Sequence, residues 1–213
     1  LAQSMAELNW LICANGAWPI ESVWKPLVHQ ADVIIACDGA LDQCLERGVQ
    51  PHRVIGDMDS IDRGRYSELN KTIEWIEIKN QENSDLSKAL HHAARHANQS
   101  IDVIGIEGGE LGHQIAAYFA LFEAPENTTL HIGTSRIKCV KNTSLILDSI
   151  EIGSRVSLFA FEPSNGVSLK GCSWLLDNEE FKPGTRGLNN RSVASTIQLD
   201  VTQGAVLICI ETP

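Results

Sequence analysis

The sequence predicts an α/β domain with a mostly parallel sheet, followed by an all-β antiparallel sandwich. Up to about residue 123 short apolar runs alternate with helix-length amphipathic stretches, the pattern of parallel strands joined by crossover helices. After Pro125 the helical periodicity disappears and short alternating runs separated by turn residues take over. A chain of 213 residues is long enough for two modest domains that each bury a core, and the expected division is 1–125 and 126–213.

In the first domain the apolar runs place strands at 10–13, 33–37, 53–55, 73–78 and 101–106. Helices are expected between them at 20–29, 40–47, 85–97 and 112–122, with Gly48 as a C-terminal cap. That order is Rossmann-like. In the second domain strands are expected at 130–132, 137–140, 145–150, 155–161, 193–201 and 205–211. Ile152-Gly153-Ser154, Pro163-Ser164-Asn165-Gly166 and Gln203-Gly204 supply the turns. There is no internal repeat and no low-complexity segment.

Composition excludes several partners. A net charge of −10, with no long Lys/Arg block to offset it, repels a phosphate backbone, so no nucleic-acid partner is expected. The apolar runs are far too short to span a bilayer, and no membrane partner is expected. The six cysteines form no C-x-x-C pair and mostly sit in apolar runs, which reads as buried free thiols in a reducing compartment. The expectation is a soluble, cytoplasmic protein.

In an open parallel sheet ligands bind beyond the carboxyl ends of the strands, and here those junctions are acidic. Cys37-Asp38-Gly39-Ala40 follows strand two, Gly56-Asp57-Met58-Asp59-Ser60 follows strand three, Gln81-Glu82-Asn83-Ser84-Asp85 follows strand four, and Glu107-Gly108-Gly109-Glu110 follows strand five. Asp57 and Asp59 stand two apart, so in an extended loop their carboxylates share a side and repel unless a cation lies between them. Mg²⁺ suits such a site, because it takes a few carboxylates and completes its octahedron with water and phosphate oxygens. Asp85 can supply a third carboxylate; it reads equally as a first-turn residue favoured by the helix dipole beside a capping Ser84. Taken alone, residues 56–60 also read as a solvated turn.

Two other metal readings fail. Asp57, Asp59 and Glu68 fit the first, third and twelfth positions of a calcium-binding loop, but Ile61 and Asp62 stand where an oxygen ligand and a glycine are required. His91, His92 and His96 lack a further ligand at zinc spacing. Nor is there a Walker-type loop or a dinucleotide-binding glycine turn after strand one, so phosphate contacts fall to Gly108-Gly109 and to Lys88.

These loops, in this order, resemble the thiamin pyrophosphokinase family. The family's Asp-Gly-Gly is matched by Asp38-Gly39-Ala40, followed by Pro51, and its Gly-Asp-Phe-Asp-Ser by Gly56-Asp57-Met58-Asp59-Ser60. Its Gln-Asp-x-Thr-Asp is similar to residues 81–85, which lead to Lys88. In the second domain its Gly-x-x-Trp-Pro-Leu is similar to residues 171–176 around Trp174, and its Ser-Asn to Asn189-Asn190. The resemblance implies diphosphate transfer from ATP, the co-substrate, to thiamin, giving thiamin diphosphate and AMP. It further implies Mg²⁺ on Asp57, Asp59 and Asp85 as the catalytic centre. ATP would be held by Asp38, Gly39, Lys88, Gly108, Gly109 and His113, and thiamin by Gln81, Trp174 and Asn190. The family is a homodimer whose thiamin site lies between one subunit's α/β domain and the other's β domain.

The chain departs from the family mildly at Ala40 and Met58 and seriously at one loop. Where the family has Gly-Gly-Arg-x-Asp-His, residues 108–113 read Gly-Gly-Glu-Leu-Gly-His, losing a cation and a carboxylate and adding Glu110 near the expected phosphates. That change keeps two alternatives open: a non-catalytic thiamin- or nucleotide-binding relative, and another Mg²⁺-dependent phosphotransferase on the same scaffold.

Overall fold

A computed structural model describes residues 7–59, 61, 63–66 and 71–213 of the chain. Ser60, Asp62 and Glu68 lie outside the described residues. The chain divides into two compact units that meet at Gly133 and Thr134.

The first unit is a parallel α/β domain. Its elements are β1 (Leu8–Cys13), α1 (Glu21–Gln30), β2 (Val33–Cys37), α2 (Leu41–Glu46), β3 (Arg53–Gly56), β4 (Glu74–Glu77), α3 (Asp85–Ala94), β5 (Asn98–Ile104), α4 (Leu111–Glu123) and β6 (Thr128–Ile132). Within it the strand order is β6-β5-β1-β2-β3-β4, and among the described residues these strands pair in parallel. Residues 10–13 of β1 and 34–37 of β2 are buried without alternation, the mark of strands covered on both faces. Fully burying each such aliphatic side chain contributes about 1.5–3 kcal/mol. The chain winds outward from β1 through β2 and β3 to β4, then returns to place β5 on the other side of β1. The connections from β1 and β5 therefore run toward opposite ends of the sheet, which makes the β1/β5 boundary the switch point where a ligand crevice is expected.

The strands of the second unit pair antiparallel. It comprises β7 (Ser135–Lys141), β8 (Ser144–Leu147), β9 (Arg155–Phe159), β10 (Ser164–Lys170), β11 (Leu176–Phe181), β12 (Asn190–Arg191), β13 (Ile197–Gln203) and β14 (Ala205–Glu211). One group runs β12-β9-β14-β7 and the other β11-β10-β13-β8. Alternate residues such as Ile197, Leu199 and Val201 of β13 join Val167, Leu169 and Phe181 in one core cluster.

Three differences from the sequence reading have physical causes. The segment near 130 was expected to open the β domain, yet β6 pairs in parallel with β5 and belongs to the first unit, which shifts the division from 125 to 133. A short strand carries no mark of whether its partner runs with it or against it. The expected turn at 163–166 is instead the start of β10, with Gly166 at φ +63° and a register shift between Ser164 and Val167 that absorbs the glycine as a bulge. Among the described residues the polar strand β11, with sequence LDNEEF, pairs with β10 alone, and it has no apolar alternation to announce it.

Candidate functional site

The crevice is a cleft of about 430 Å³ lined by the loops after β1, β2, β3 and β5 and by the first turns of α3 and α4. Backbone meets backbone at its base: the Gly16 amide donates to the Gly105 carbonyl and the Ala17 amide to the Glu107 carbonyl, both at 2.5 Å. Gly105 adopts φ +78°, and a Cβ there would overlap the Ala14 carbonyl, so only glycine allows this closeness.

Three carboxylates converge beside the cleft, and two of them, Asp38 and Asp57, line it. Asp38, Asp57 and Asp59 each offer an oxygen, and these atoms lie within 4.8 Å of one another. Asp38 follows β2 and is 4 % exposed; its Oδ1 accepts from the Gly39 amide at 2.6 Å and its Oδ2 from the Met58 amide at 3.0 Å. A Cβ on Gly56 would collide with that carboxyl group, so the glycine at the end of β3 makes room for it. Met58 sits at φ +66° and turns the chain so that the Asp59 amide donates to Asp57 Oδ1 at 3.3 Å.

Charge is distributed unevenly in this group. Burial, then the Asp85 charge, push the Asp38 carboxyl above the ordinary carboxylate range, against the Gly39 and Met58 amides. Asp57 is held below that range, first by the Asp59 amide. Of these two, Asp38 takes up a proton before Asp57 as pH falls. Crowded hard-oxygen donors of this kind match the ligand chemistry of Mg²⁺.

Asp85 stands outside the group of three. Ser84 caps α3 by accepting from the Ser87 amide at 3.2 Å, and Asp85 Oδ1 accepts from Lys88 Nζ at 2.9 Å. The Lys88 side chain is 5 % exposed and lines the cleft, so it is a buried counter-charge to Asp85. Asp85 is the first-turn residue beside a capping serine that the sequence suggests, and its charge acts on Asp38, but it does not join the group of three carboxylates expected of a metal ligand.

The remaining candidates on this unit, Gly39, Gln81, Gly108, Gly109 and His113, all line the same cleft. Glu110 occupies the N-terminal cap position of α4 without capping it; its side chain is 85 % exposed and lies 3.4 Å from His113 Nδ1. The added carboxylate faces solvent at the cleft mouth. Sequence reasoning missed Asn15 and Gly16, also in the lining, and missed Asp38 as a partner of Asp57 and Asp59. The Asn15-Gly16 turn immediately after β1 is the signal that could have found the first pair.

The histidines belong to a different region. His92 lies 3.0 Å from Arg53 Nη1, and His96 stacks on Trp10 with centroids 5.1 Å apart, at the strand ends remote from the cleft. Among the described residues they join no group of three metal donors.

The second unit carries a smaller pocket of about 220 Å³, lined by Leu158, Leu169, Phe181 and Leu188 together with Trp174 and Asn190. Trp174 is 67 % exposed, whereas Asn190 is buried. Arg186 at its edge pairs with Glu179.

Residues 24–132, just over half of the chain, match the family model described as the thiamin pyrophosphokinase catalytic domain. The match contains every element of the cleft except the turn after β1. The solved thiamine pyrophosphokinase of Bacillus subtilis superposes with a TM-score of 0.81 at 20 % identity, covering 95 % of this chain and 98 % of that one. A thiamin pyrophosphokinase family protein from Enterococcus faecalis gives 0.77 at 20 % identity, covering 96 % and 99 %. Yeast thiamin pyrophosphokinase gives 0.74 at 14 % identity, covering 98 % and 87 %. At these identities the likeness establishes the fold. No curated protein matches the chain in sequence.

Proposed function

The chain belongs to the thiamin pyrophosphokinase family, and from that premise we propose that it transfers a diphosphate from ATP to the hydroxyethyl group of thiamin, giving thiamin diphosphate and AMP. The observation that carries the proposal is the convergence of Asp38, Asp57 and Asp59 at the switch-point cleft. Asp57 and Asp59 would hold Mg²⁺, with Asp38 as the nearest further carboxylate and Asp85 adding charge from α3. A bound Mg²⁺ supplies neutralisation of charge on phosphate oxygens.

The protein's own groups do the positioning. Gly108 and Gly109, at φ +76° and +71°, lead into the N-terminus of α4, where free amides and the helix dipole favour a phosphate. Gly39 and His113 would complete the ATP side, and Lys88 fixes Asp85 in place. Diphosphate transfer needs mainly alignment of the acceptor hydroxyl with the β-phosphorus, so no separate strong nucleophile is required. The candidates for thiamin are Gln81, which lines the cleft, and Trp174 and Asn190, which line the pocket of the second unit. The Trp174 ring suits a flat, partly cationic ligand.

A homodimer belongs to the same proposal. Leu111, Ile115 and Phe119 form an i, i+4, i+8 stripe on α4 that is 71, 47 and 47 % exposed, an apolar surface that favours a second copy. Sedimentation equilibrium should return twice the chain mass; a monomer removes this part.

The direct assay supplies ATP, Mg²⁺ and thiamin and follows AMP and thiamin diphosphate, which should appear in equal amounts. ADP as the nucleotide product overturns the proposal. Glu110 at the cleft mouth favours a second reading, a relative that binds thiamin or nucleotide without transfer. Saturable ligand binding with no AMP release would establish that reading instead.

A further inference from the structure

We propose that Asn190 is a positioning residue, and that it influences the ring-bearing substrate only by fixing the backbone that carries the Trp174 ring. The inference rests on the reading above, in which Trp174 stacks on the acceptor, and it changes what Asn190 does there.

An asparagine carboxamide has a carbonyl with two lone pairs and an amide with two hydrogens. In Asn190 most of that capacity is committed within the protein. Oδ1 accepts from the Trp174 amide at 3.0 Å and from the Arg191 amide at 2.8 Å, and Nδ2 donates to the Trp174 carbonyl at 2.7 Å. One side chain thus satisfies both the donor and the acceptor of the Trp174 backbone, as a neighbouring strand would. Asn190 is only 7 % exposed, so losing these bonds would strand buried polar groups.

The surrounding backbone explains why a side chain is needed at this point. The Val193 amide donates to the Gly171 carbonyl at 2.9 Å, Cys172 bridges Ser192, and the Ser173 amide donates to the Arg191 carbonyl at 2.8 Å. These bonds tie 171–173 step by step to 191–193. At Asn190 the backbone is instead committed to β9, opposite Val156, and Asn189 before it turns through φ +62°. The Asn190 carboxamide continues the ladder by one residue, to Trp174.

The backbone of every residue from 171 to 174 is therefore pinned, yet Trp174 is 67 % exposed. A fixed backbone sets the direction in which an exposed aromatic leaves the chain, so the backbone part of the ordering cost is met before the ligand arrives. Asn190 has at most one amide hydrogen left for a ligand, and its fixed orientation is set by Trp174.

Two measurements test this. In 5-fluorotryptophan-labelled protein, with the Trp174 signal assigned from Trp174→Phe, Asn190→Ala should shift and broaden the Trp174 ¹⁹F resonance. The signals of Trp10, Trp18, Trp24 and Trp75 should stay in place, which also reports folding. Asn190→Asp, which keeps the acceptor but sets a carboxylate against the Trp174 carbonyl, should give the same change. An unmoved Trp174 signal in both variants overturns the proposal, whether or not the chain transfers diphosphate.

The second measurement is thiamin affinity in a double-mutant cycle. Asn190→Ala should weaken thiamin binding about 5-fold with Trp174 present and less than about 2-fold in a Trp174→Ala background, since neighbours acting as one unit are non-additive. Equal losses in both backgrounds would show direct contact and overturn the proposal. Absence of thiamin binding by the unmutated chain would sink the reading of function, while the ¹⁹F result would still decide the role of Asn190.

Discussion

The cleft of the first unit and the Trp174 face of the second are built by opposite means. The cleft gathers charges on loops at the ends of parallel strands: Asp38, Asp57 and Asp59 meet within 4.8 Å, with their positions set by backbone amides and by glycines that leave room. The Trp174 face has one large exposed ring above an apolar pocket, held by a buried carboxamide. The first arrangement is electrostatically uncomfortable until a cation arrives; the second is fully hydrogen-bonded at its backbone and needs only a flat partner. A site for metal and phosphate tolerates crowded charge, whereas a site for a ring needs a fixed surface.

That contrast can be broken most sharply at the cleft. Asp57→Asn and Asp59→Asn should each lower AMP formation on the order of 100-fold or more, the scale for losing a group that stabilises developing charge. Thermal midpoints without Mg²⁺ should shift by no more than about 2 °C, as for exposed loop positions. Retention of activity in both would remove the metal assignment. Gly56→Ala should act differently, because the new methyl would displace the Asp38 carboxyl. It should cost about 1–3 kcal/mol of stability as an overpacked site and reduce activity as well. A fully stable, active Gly56→Ala protein would show that Asp38 moves freely.

On the other face, Trp174→Ala should raise the thiamin requirement about 5- to 30-fold, the range for one lost stacking or cation–π contact. The ATP requirement should change less than about 2-fold. If both rise together in steady-state kinetics, Trp174 supports the fold rather than the acceptor.

The pH response of Asp38 follows from its raised pKa. Below its ordinary value of 3.8 the carboxyl is protonated in both folded and unfolded chains and has no pH-linked effect. As pH rises from there through the raised folded value, ionisation destabilises the fold, and the loss is complete above it. Asp38→Asn should therefore gain on the unmutated chain in urea denaturation, without metal, as pH rises from about 3 to about 7. A gap that narrows with rising pH would contradict the crowding. The smallest effect belongs to Glu110→Arg. An exposed charge at the cleft mouth should tighten nucleotide binding only about 2- to 5-fold, and less in high salt; a larger gain would mean that Glu110 reaches the phosphates.

Much of the first unit was legible because parallel strands buried on both faces must read as continuous apolar runs. Val33–Cys37 was identified to the residue, and Asp38, Asp57 and Asp85 were found because charges concentrate where those runs stop. The second unit was less legible. The bulged strand with Gly166 and the polar strand Leu176–Phe181 carry no clean period, and Trp174 was singled out only through its family resemblance.

By itself the sequence determined the order of elements and which side chains stand at strand ends, since both follow from local periodicity and from keeping charge out of the core. Tertiary structure alone decided which of those side chains meet. It brought Asp38 to Asp57 and Asp59, set β6 beside β5, and turned the Asn190 amide onto Trp174. Each of these depends on which strands become neighbours and which way a side chain points, and neither is written in the spacing of residues along the chain.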